Sequence, residues 1–365
     1  MRAALISLGS ISSKWTIEAM EKYFDKVDDI NLKNIEVNLG SGSIEVLYNG
    51  EPLSKYDCIY PKGSFRFAPL LRSIATTLHN TTFMPLKPEA FDIGHDKLLT
   101  HLALQRYKIP MPKTYITSTP EAAKKILEKV NYPIIMKFPQ GTQGKGVMFA
   151  DSFASASSML DALTALRQPF IIQEYVETGG IDIRVIVIGD KVVAAMKRKA
   201  VKGEERANIH AGGKGEPYQP DAHTKKIAVQ TAKAIGADIC AVDILESPKG
   251  PLVIEANLSP GLQGITESTK IDIAEKIAKY LYEKTKSRFE SGKKVGTSKI
   301  FEDLGIKKVG GRVQEIVSNL DFRGDRILLP KLVTDITKFN EKEELSIKSS
   351  RGTLVIKKSD IGGEK

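Results

Sequence analysis

Cysteine is scarce in this chain: there are two in 365 residues, Cys58 and Cys240, each inside an apolar run. Two thiols so far apart in sequence build no disulfide framework, and they read as reduced core residues of a cytoplasmic protein. The five histidines stand at no metal-ligand spacing with them, which argues against zinc. No apolar run approaches the roughly 20 residues a membrane helix needs, so no membrane partner is expected. The start, M-R-A-A-L-I-S-L-G-S, carries too brief an apolar run for a signal peptide and reads as a first buried strand. A Ser-His-Asp or Cys-His set for covalent catalysis is not visible either.

What is present is an ordinary globular composition, 41% hydrophobic and 27% charged. The length exceeds one core and predicts roughly two to four domains or subdomains. The formal charge is +10, and residues 284–365 hold 19 Lys+Arg against 12 Asp+Glu, so most of the excess sits in the last quarter. Such a tail suits an anionic partner, whether RNA, DNA or an acidic protein segment, or serves simply as a lysine-rich solubilising surface.

Residues 2–8 and Asp57–Tyr60 read as strands around a helix at Trp15–Phe24, with an inserted hairpin at Ile44–Leu53 turning on Asn49-Gly50. The loop Pro61-Lys62-Gly63 follows a strand end, where α/β sheets place ligands. Lys62 and Arg72 are therefore candidate contacts to an anionic substrate, with plain surface roles as the alternative. Asp96–Tyr107 carries leucines at helical spacing. Lys97 stands at the helix start, where the dipole disfavours a cation, so either an anion lies nearby or the side chain is merely exposed.

A helix at Pro120–Val130 lies between strands Lys113–Thr117 and Pro133–Phe138, and the second strand runs into Q-G-T-Q-G-K-G-V. Gly141, Gly144 and Gly146 let a backbone approach phosphates and turn N–H groups toward them. The loop is neither a Walker A loop nor a dinucleotide fingerprint, because its glycine spacing is wrong for both. Lys137, just before it, would aim an ammonium at a phosphate. A helix near Ala156–Leu166 precedes the strand Phe170–Tyr175, where Glu174 is a carboxylate in need of partners. Asp182 and Arg184 open a hairpin whose second strand delivers Lys197, Arg198 and Lys199, and a cationic glycine-rich loop with Arg206, Asn208 and His210 follows. Further helices are read at Thr224–Ile235 and Ile271–Thr285. The order reads as a mostly parallel α/β region followed by antiparallel strands bearing acids and cations.

The stretch A-V-D-I-L-E-S-P-K-G-P-L-V-I-E-A-N-L-S-P-G-L-Q-G, residues 241–264, reads as a hairpin. A turn centred on Lys249 sets Asp243 directly opposite Glu255, with Asn257 on the same face. Converging carboxylates resist joint ionisation unless a cation lies between them, and Mg²⁺ takes such oxygen ligands together with phosphates. A solvated acidic face is the alternative.

In this order, G-T-Q-G-K-G-V, Q-E-Y-V, D-I-R, N-I-H-A-G-G, V-D-I-L and E-A-N-L-S-P-G-L make the chain, over about residues 1–285, resemble the RimK-type ATP-grasp carboxylate–amine ligases. The resemblance implies an ATP-grasp fold, α/β and α+β in class. Its parts would be an N-terminal α/β domain over 1–92, grasp subdomains over 93–168 and 169–285, a linker over 286–308 and a small β-rich domain over 309–365. It implies a cytoplasmic enzyme that uses ATP and two Mg²⁺ ions, with Mn²⁺ as a substitute, to activate a carboxylate as an acyl-phosphate for attack by an amine. Lys97 and Lys137 match the family's phosphate-binding lysines, and Gly141–Gly146 its lid. Glu174 and Tyr175 match the adenine hinge, and Asp182 the ribose-contacting acid. Arg206, Ala207 and Asn208 fall on the segment lining the nucleotide site. Asp243, Glu255 and Asn257 match the metal ligands, and Arg198 the arginine suited to the tetrahedral oxyanion.

Two positions depart from the pattern: Lys62 stands where well-known members have arginine, and His210-Ala211-Gly212-Gly213 replaces His-Arg-Gly-Gly. Both lie where substrates would bind. The resemblance implies addition of L-glutamate to a protein C-terminus or a coenzyme tail. Its alternatives are a ligase acting on the amino-group carrier protein of lysine and arginine biosynthesis, and a DNA-binding regulator on a ligase scaffold.

The tail alternates apolar and polar residues between Gly, Asn and Ser turns, which predicts a β-rich module. Its order of strand, Leu-Pro, short helix and final hairpin is similar to AbrB-type swapped-hairpin domains. That similarity implies a homo-oligomer and DNA contacts through Arg312, Arg323, Arg326 and Lys331; an oligomerisation or acceptor-docking module is the alternative.

Overall fold

The computed structural model describes residues 1–40, 44–141, 146–199 and 214–303, and beyond them 321–324, 326–329, 331–340, 345–350 and 353–358. They belong to two units, Met1–Gly296 and Thr297–Lys365. Among the described residues no helix is long and apolar enough to cross a membrane.

The first unit opens with β1 (Arg2–Ser7), α1 (Ile11–Met20) and β2 (Lys26–Asn31). Next come β3 (Ile35–Leu39), β4 (Ile44–Tyr48) and β5 (Glu51–Pro52), a small antiparallel sheet. The turn from β4 to β5 is the expected Asn49-Gly50, with φ of 54° and 79°, the left-handed pair that a two-residue hairpin requires. β6 (Cys58–Pro61) completes a parallel sheet of order β2-β1-β6. Two helices not foreseen from the sequence follow, α2 (Ala68–Leu78) and α3 (Pro88–His95). α3 is short, starts on a proline and carries Gly94, so it lacks a readable apolar stripe.

α4 (Lys97–Arg106) is capped by the Asp96 side chain, which accepts from the N–H groups of Leu98 and Leu99. The chain continues through β7 (Thr114–Tyr115), α5 (Pro120–Leu127), β8 (Ile134–Lys137), β9 (Val147–Ala150), α6 (Phe153–Ala165) and β10 (Ile171–Glu174). These strands order as β7-β10-β8-β9, and every neighbouring pair is antiparallel. The mostly parallel reading of this region is therefore corrected: β10 slots between β7 and β8, so the strands on either side of α5 never pair. β10 also joins this sheet across the boundary read at residue 168. The sheet and its helices have a core of their own, around Leu127, Ile134, Met136, Leu160 and Ile172.

The last part of the unit contains β11 (Ile181–Ile188), β12 (Lys191–Lys199), β13 (Lys214–Pro217), α7 (Ala222–Ile235), β14 (Ile239–Ser247), β15 (Gly250–Asn257), α8 (Gln263–Thr269) and α9 (Ile273–Asp303). Its sheet runs β13-β12-β11-β14-β15, antiparallel throughout. Val185, Val187, Ile227 and Ala241 share one core with Leu5, Ile59 and Leu71 of the N-terminal sheet. Two cores thus meet around the site, one large and one small. α9 continues as helix through most of the stretch read as a linker, which contains no proline to stop it.

The β14–β15 hairpin reaches its expected pairing by an unexpected route. The turn is Pro248-Lys249, with Ser247 opposite Gly250, so a regular ladder would set Asp243 against Ile254. A bulge between Asp243 and Ile244 adds one residue to β15 and restores the pair Asp243↔Glu255.

In the second unit, β16 (Asp321–Arg323) pairs with β17 (Arg326–Leu328), α10 (Lys331–Thr337) follows, and β18 (Leu345–Ser350) pairs with β19 (Thr353–Lys358). The order of hairpin, short helix and hairpin matches the strand-rich reading of the tail.

Candidate active site

A cavity of about 620 Å³ opens where the two grasp sheets and the N-terminal sheet converge. Lys62, Lys97, Lys137, Gly141, Glu174, Tyr175, Asp182, Arg198, Asp243, Glu255 and Asn257 all line it. Gly146 lies at the near end of the glycine-rich loop, and a Cβ there would sit 2.2 Å from the Phe138 ring at a φ of +78°, so only glycine fits. Arg72 does not line the cavity; it pairs with Asp92 on the surface. Gly144, Arg206, Ala207, Asn208 and His210 lie outside the described residues, as do Ala211 and Arg312.

The cationic wall comes from three different elements. Lys97 Nζ, at the start of α4, donates to the carbonyl of Gly141 at 3.1 Å, tethering the helix to the loop. Lys137, the last residue of β8, is 6% exposed and donates to Gln173 Oε1 at 2.9 Å. Burial pulls its ammonium down to about 8, with Glu255 acting against that shift and Lys97 with it. Lys62, in the loop after β6, is 5% exposed, and burial alone pulls it down to about 8.

Behind this wall the face of the second sheet carries a buried ladder of charges. Asp182 and Arg198 are register partners on β11 and β12, bonded at 2.6 and 2.7 Å. Arg184 and Asp243 are register partners on β11 and β14, bonded at 2.8 and 2.7 Å. Arg198 also reaches Asp243 Oδ2 at 2.9 Å, linking both pairs. Burial by itself would raise the Asp243 carboxyl, but the two guanidinium groups hold it well below the usual range. For Asp182, burial outweighs Arg198 and raises it. Beside this ladder Glu255 accepts no hydrogen bond among the described residues.

The oxygen set fits a hard divalent cation. Three of the roughly four acceptor positions of Asp243 are taken by arginines, which leaves one on Oδ1. Among the described residues Glu255 is free of such partners, and Asn257 Oδ1 accepts the Ser259 N–H, at 2.9 Å. Carboxylate and amide oxygens without nitrogen or sulfur donors suit Mg²⁺. At the β10 end, Glu174 Oε1 accepts from Tyr115 Oη at 3.0 Å, and the Tyr175 ring stands edge-on to Phe149 at 5.3 Å.

Arg184 and Gln173 were not singled out from sequence as site residues. Their signal was weak but present: Arg184 stands two residues from Asp182 and so shares its face, and Gln173 is two residues before Tyr175 on β10. His95 lines the cavity as well, with Nε2 unpartnered among the described residues and its ring driven to about 4 by burial.

The chain has known relatives. The model of the RimK-like ATP-grasp domain matches residues 94–281. A probable alpha-L-glutamate ligase of Marinomonas sp. (strain MWYL1) is 35% identical over 293 residues, covering 78% of this chain and 96% of that protein. A protein of the same description from Shewanella loihica is 36% identical over 294 residues, covering 78% and 97%. Among solved structures, the ATP-grasp ligase PsnB, complexed with a precursor variant, Mg and ADP, aligns at a TM-score of 0.61 with 19% identity, covering 78% of this chain and 98% of that one. A RimK domain ATP-grasp protein from Sphaerobacter thermophilus aligns at 0.60 with 18% identity, covering 77% and 99%. With its ATP-grasp architecture and a family match across half its length, the chain belongs to the RimK-like ATP-grasp ligases.

Proposed function

We propose that the cavity binds ATP with Mg²⁺ and extends a carboxylate acceptor, a protein C-terminus or a coenzyme tail, by L-glutamate. The observation that carries this reading is the meeting, in one cavity, of a lysine wall from α4 and β8 with the oxygen face of Asp243, Glu255 and Asn257. Phosphoryl transfer needs little beyond positioning and charge neutralisation, and these are the groups that supply both.

In this reading Lys97 and Lys137 hold the phosphates, and Gly141 and Gly146 belong to the loop that closes over them. Glu174 and Tyr175 sit at the base. Asp243, Glu255 and Asn257 would hold Mg²⁺, which when bound offsets phosphate charge. The acceptor carboxylate attacks the γ-phosphorus and ADP leaves; the glutamate amine then attacks the acyl carbon, and phosphate and one proton leave. Exclusion of water protects the acyl-phosphate. Arg198, rigidly held by Asp182, presents a fixed guanidinium toward developing negative charge.

The named function of the relatives supports glutamate as the amine, and the peptide complexes among the structural neighbours support a peptide-like acceptor. Incubation with ATP, Mg²⁺, L-glutamate and each acceptor class, followed by mass spectrometry, tests this. A product heavier by glutamate residues, with ADP in step, is expected; no ADP with any acceptor would contradict it. For the tail, Arg323 and Arg326, register partners on β16 and β17, support contact with an anionic partner. Steeply salt-dependent retention on DNA is the outcome that reading expects.

A further inference from the structure

The small sheet β3-β4-β5 has an edge with no partner of its own. β3 stands at its rim, with β4 on one side and no strand on the other among the described residues. The register sets Ile35, Val37 and Leu39 on one face with Tyr48, Val46 and Ile44, and Glu36 and Asn38 on the other. α2 lies against β3 and β4, and Ile35 and Val46 are buried. Towards the hairpin tip that cover ends: Leu39 is 75% exposed and its register partner Ile44 is 45% exposed.

The backbone of this edge is uncovered as well. Asn49 N–H donates to Asn34 O, which fixes the alternation of the β3–β4 ladder. Glu36 and Asn38 bond inward to β4, and the backbone groups of Ile35, Val37 and Leu39 turn outward. Leu53 N–H donates to Val46 O, in agreement with this phase, since Val46 turns away from Val37 towards β5. Ile35 N–H is taken by Leu32 O. The N–H groups of Val37 and Leu39 have no partner among the described residues.

Unpaired edges invite other chains, and proteins blunt them with charges, proline, short length or a covering segment. Several edges of this unit follow that rule. β2 carries Lys26, Asp28 and Asp29, β5 is two residues long and ends on Pro52, and β13 carries Lys214 and Pro217. On β15, Val253 N–H is bonded to Pro110 O. β3, Ile-Glu-Val-Asn-Leu, has five residues, neither lysine nor proline, and no bulge in its pairing with β4. Its sequence also complements itself. A second copy paired antiparallel about a two-fold at Val37 sets Val37 against Val37, Ile35 against Leu39 and Glu36 against Asn38. Outward groups then meet outward groups, so Val37 N–H reaches Val37 O and Leu39 N–H reaches Ile35 O in both directions. Leu39 gains an apolar neighbour. Each Glu36 carboxylate faces an amide that can donate to it, with no like charge directly opposite.

We propose that the β3 edge is an interface between two copies of this chain, paired about a two-fold at Val37, which joins their three-stranded sheets into one continuous antiparallel sheet. The interface uses no residue that lines the cavity, so it stands whether or not the glutamate reading does.

Sedimentation and amide hydrogen exchange of the full chain over a concentration series test this. The wild-type chain should associate, with protection at Val37 and Leu39 rising as the associated fraction rises. Leu39→Lys, at a position already exposed, should weaken that association at least about 10-fold. Asn38→Asp, which sets two carboxylates face to face, should weaken it roughly 2- to 30-fold, and adding Glu36→Lys should restore it through a cross-strand ion pair. Melting temperatures at the lowest concentration verify that the variants fold. A wild-type chain that stays monomeric, or association that Leu39→Lys leaves unchanged, overturns the interface. Protection at Val37 and Leu39 that does not depend on concentration also overturns it, because another segment of the same chain would then cover the edge. A double variant as weak as Asn38→Asp alone overturns the register.

Discussion

Lys62 and Lys137 are ammonium groups withdrawn from water, and their protons couple to folding. Each is drawn to about 8 in the folded protein from an ordinary value of 10.5. Between those values the unfolded chain keeps a proton that the folded chain has lost, so stability of the ligand-free protein rises with pH across that window. Below about 8 both states are protonated and the contribution is flat. Chemical denaturation at pH 7.5 to 10.5 should show this rise, on the order of 1–3 kcal/mol per lysine, and Lys62→Met should flatten its share. The charge ladder behaves differently. Arg198 serves two buried carboxylates, so Arg198→Met should cost about 3–5 kcal/mol by leaving them short of a partner. Adding Asp182→Leu should recover part of that loss; a double variant costing the sum of both singles would show that the pair is not coupled.

Single elements place these residues, and here sequence and structure part company in instructive ways. The pairing of Asp243 with Glu255 was legible, yet the assumed turn centre was half a residue off, and only the bulge in β15 makes the pairing true. Bulges leave no reliable mark in one sequence. Arg184 is bonded to Asp243 across 59 residues, a relation visible only once β11 and β14 are known to be neighbours. For Lys62 the sequence leaves a contact to an anionic substrate and a plain surface role both open, because nothing local tells that Leu71 and Ser259 will close over its loop. α3 illustrates the energetic side. A Cβ on Gly94 would meet Leu258 at 2.6 to 3.0 Å, and Leu258 is fully buried beside Asn257. Gly94→Ala should therefore cost roughly 1–3 kcal/mol by overpacking. It should also weaken Mg²⁺-dependent ADP binding from a distance. Differential scanning calorimetry with and without ADP measures both effects, and an unchanged melting temperature would refute the packing argument.

At the scale of the whole molecule, the small core around Leu127 and Met136 is separate from the large one that unites the N-terminal sheet with β11–β15. The cavity lies where both meet, which is the arrangement expected of a nucleotide site that must open for substrates and then exclude water. All described site residues belong to the unit Met1–Gly296. A chain ending at Asp303 should therefore retain ADP formation, while any retention on DNA should be lost with the tail. The most direct test of the ligase account is turnover of Glu255→Gln, assayed as ADP release with ATP, Mg²⁺, L-glutamate and an acceptor that the wild-type protein extends. Glutamine keeps the volume and removes the charge that Glu255 contributes to the oxygen face. The account predicts a folded protein with ADP release reduced at least about 100-fold, the scale on which a transition-state charge contact is worth; turnover equal to wild type would contradict it.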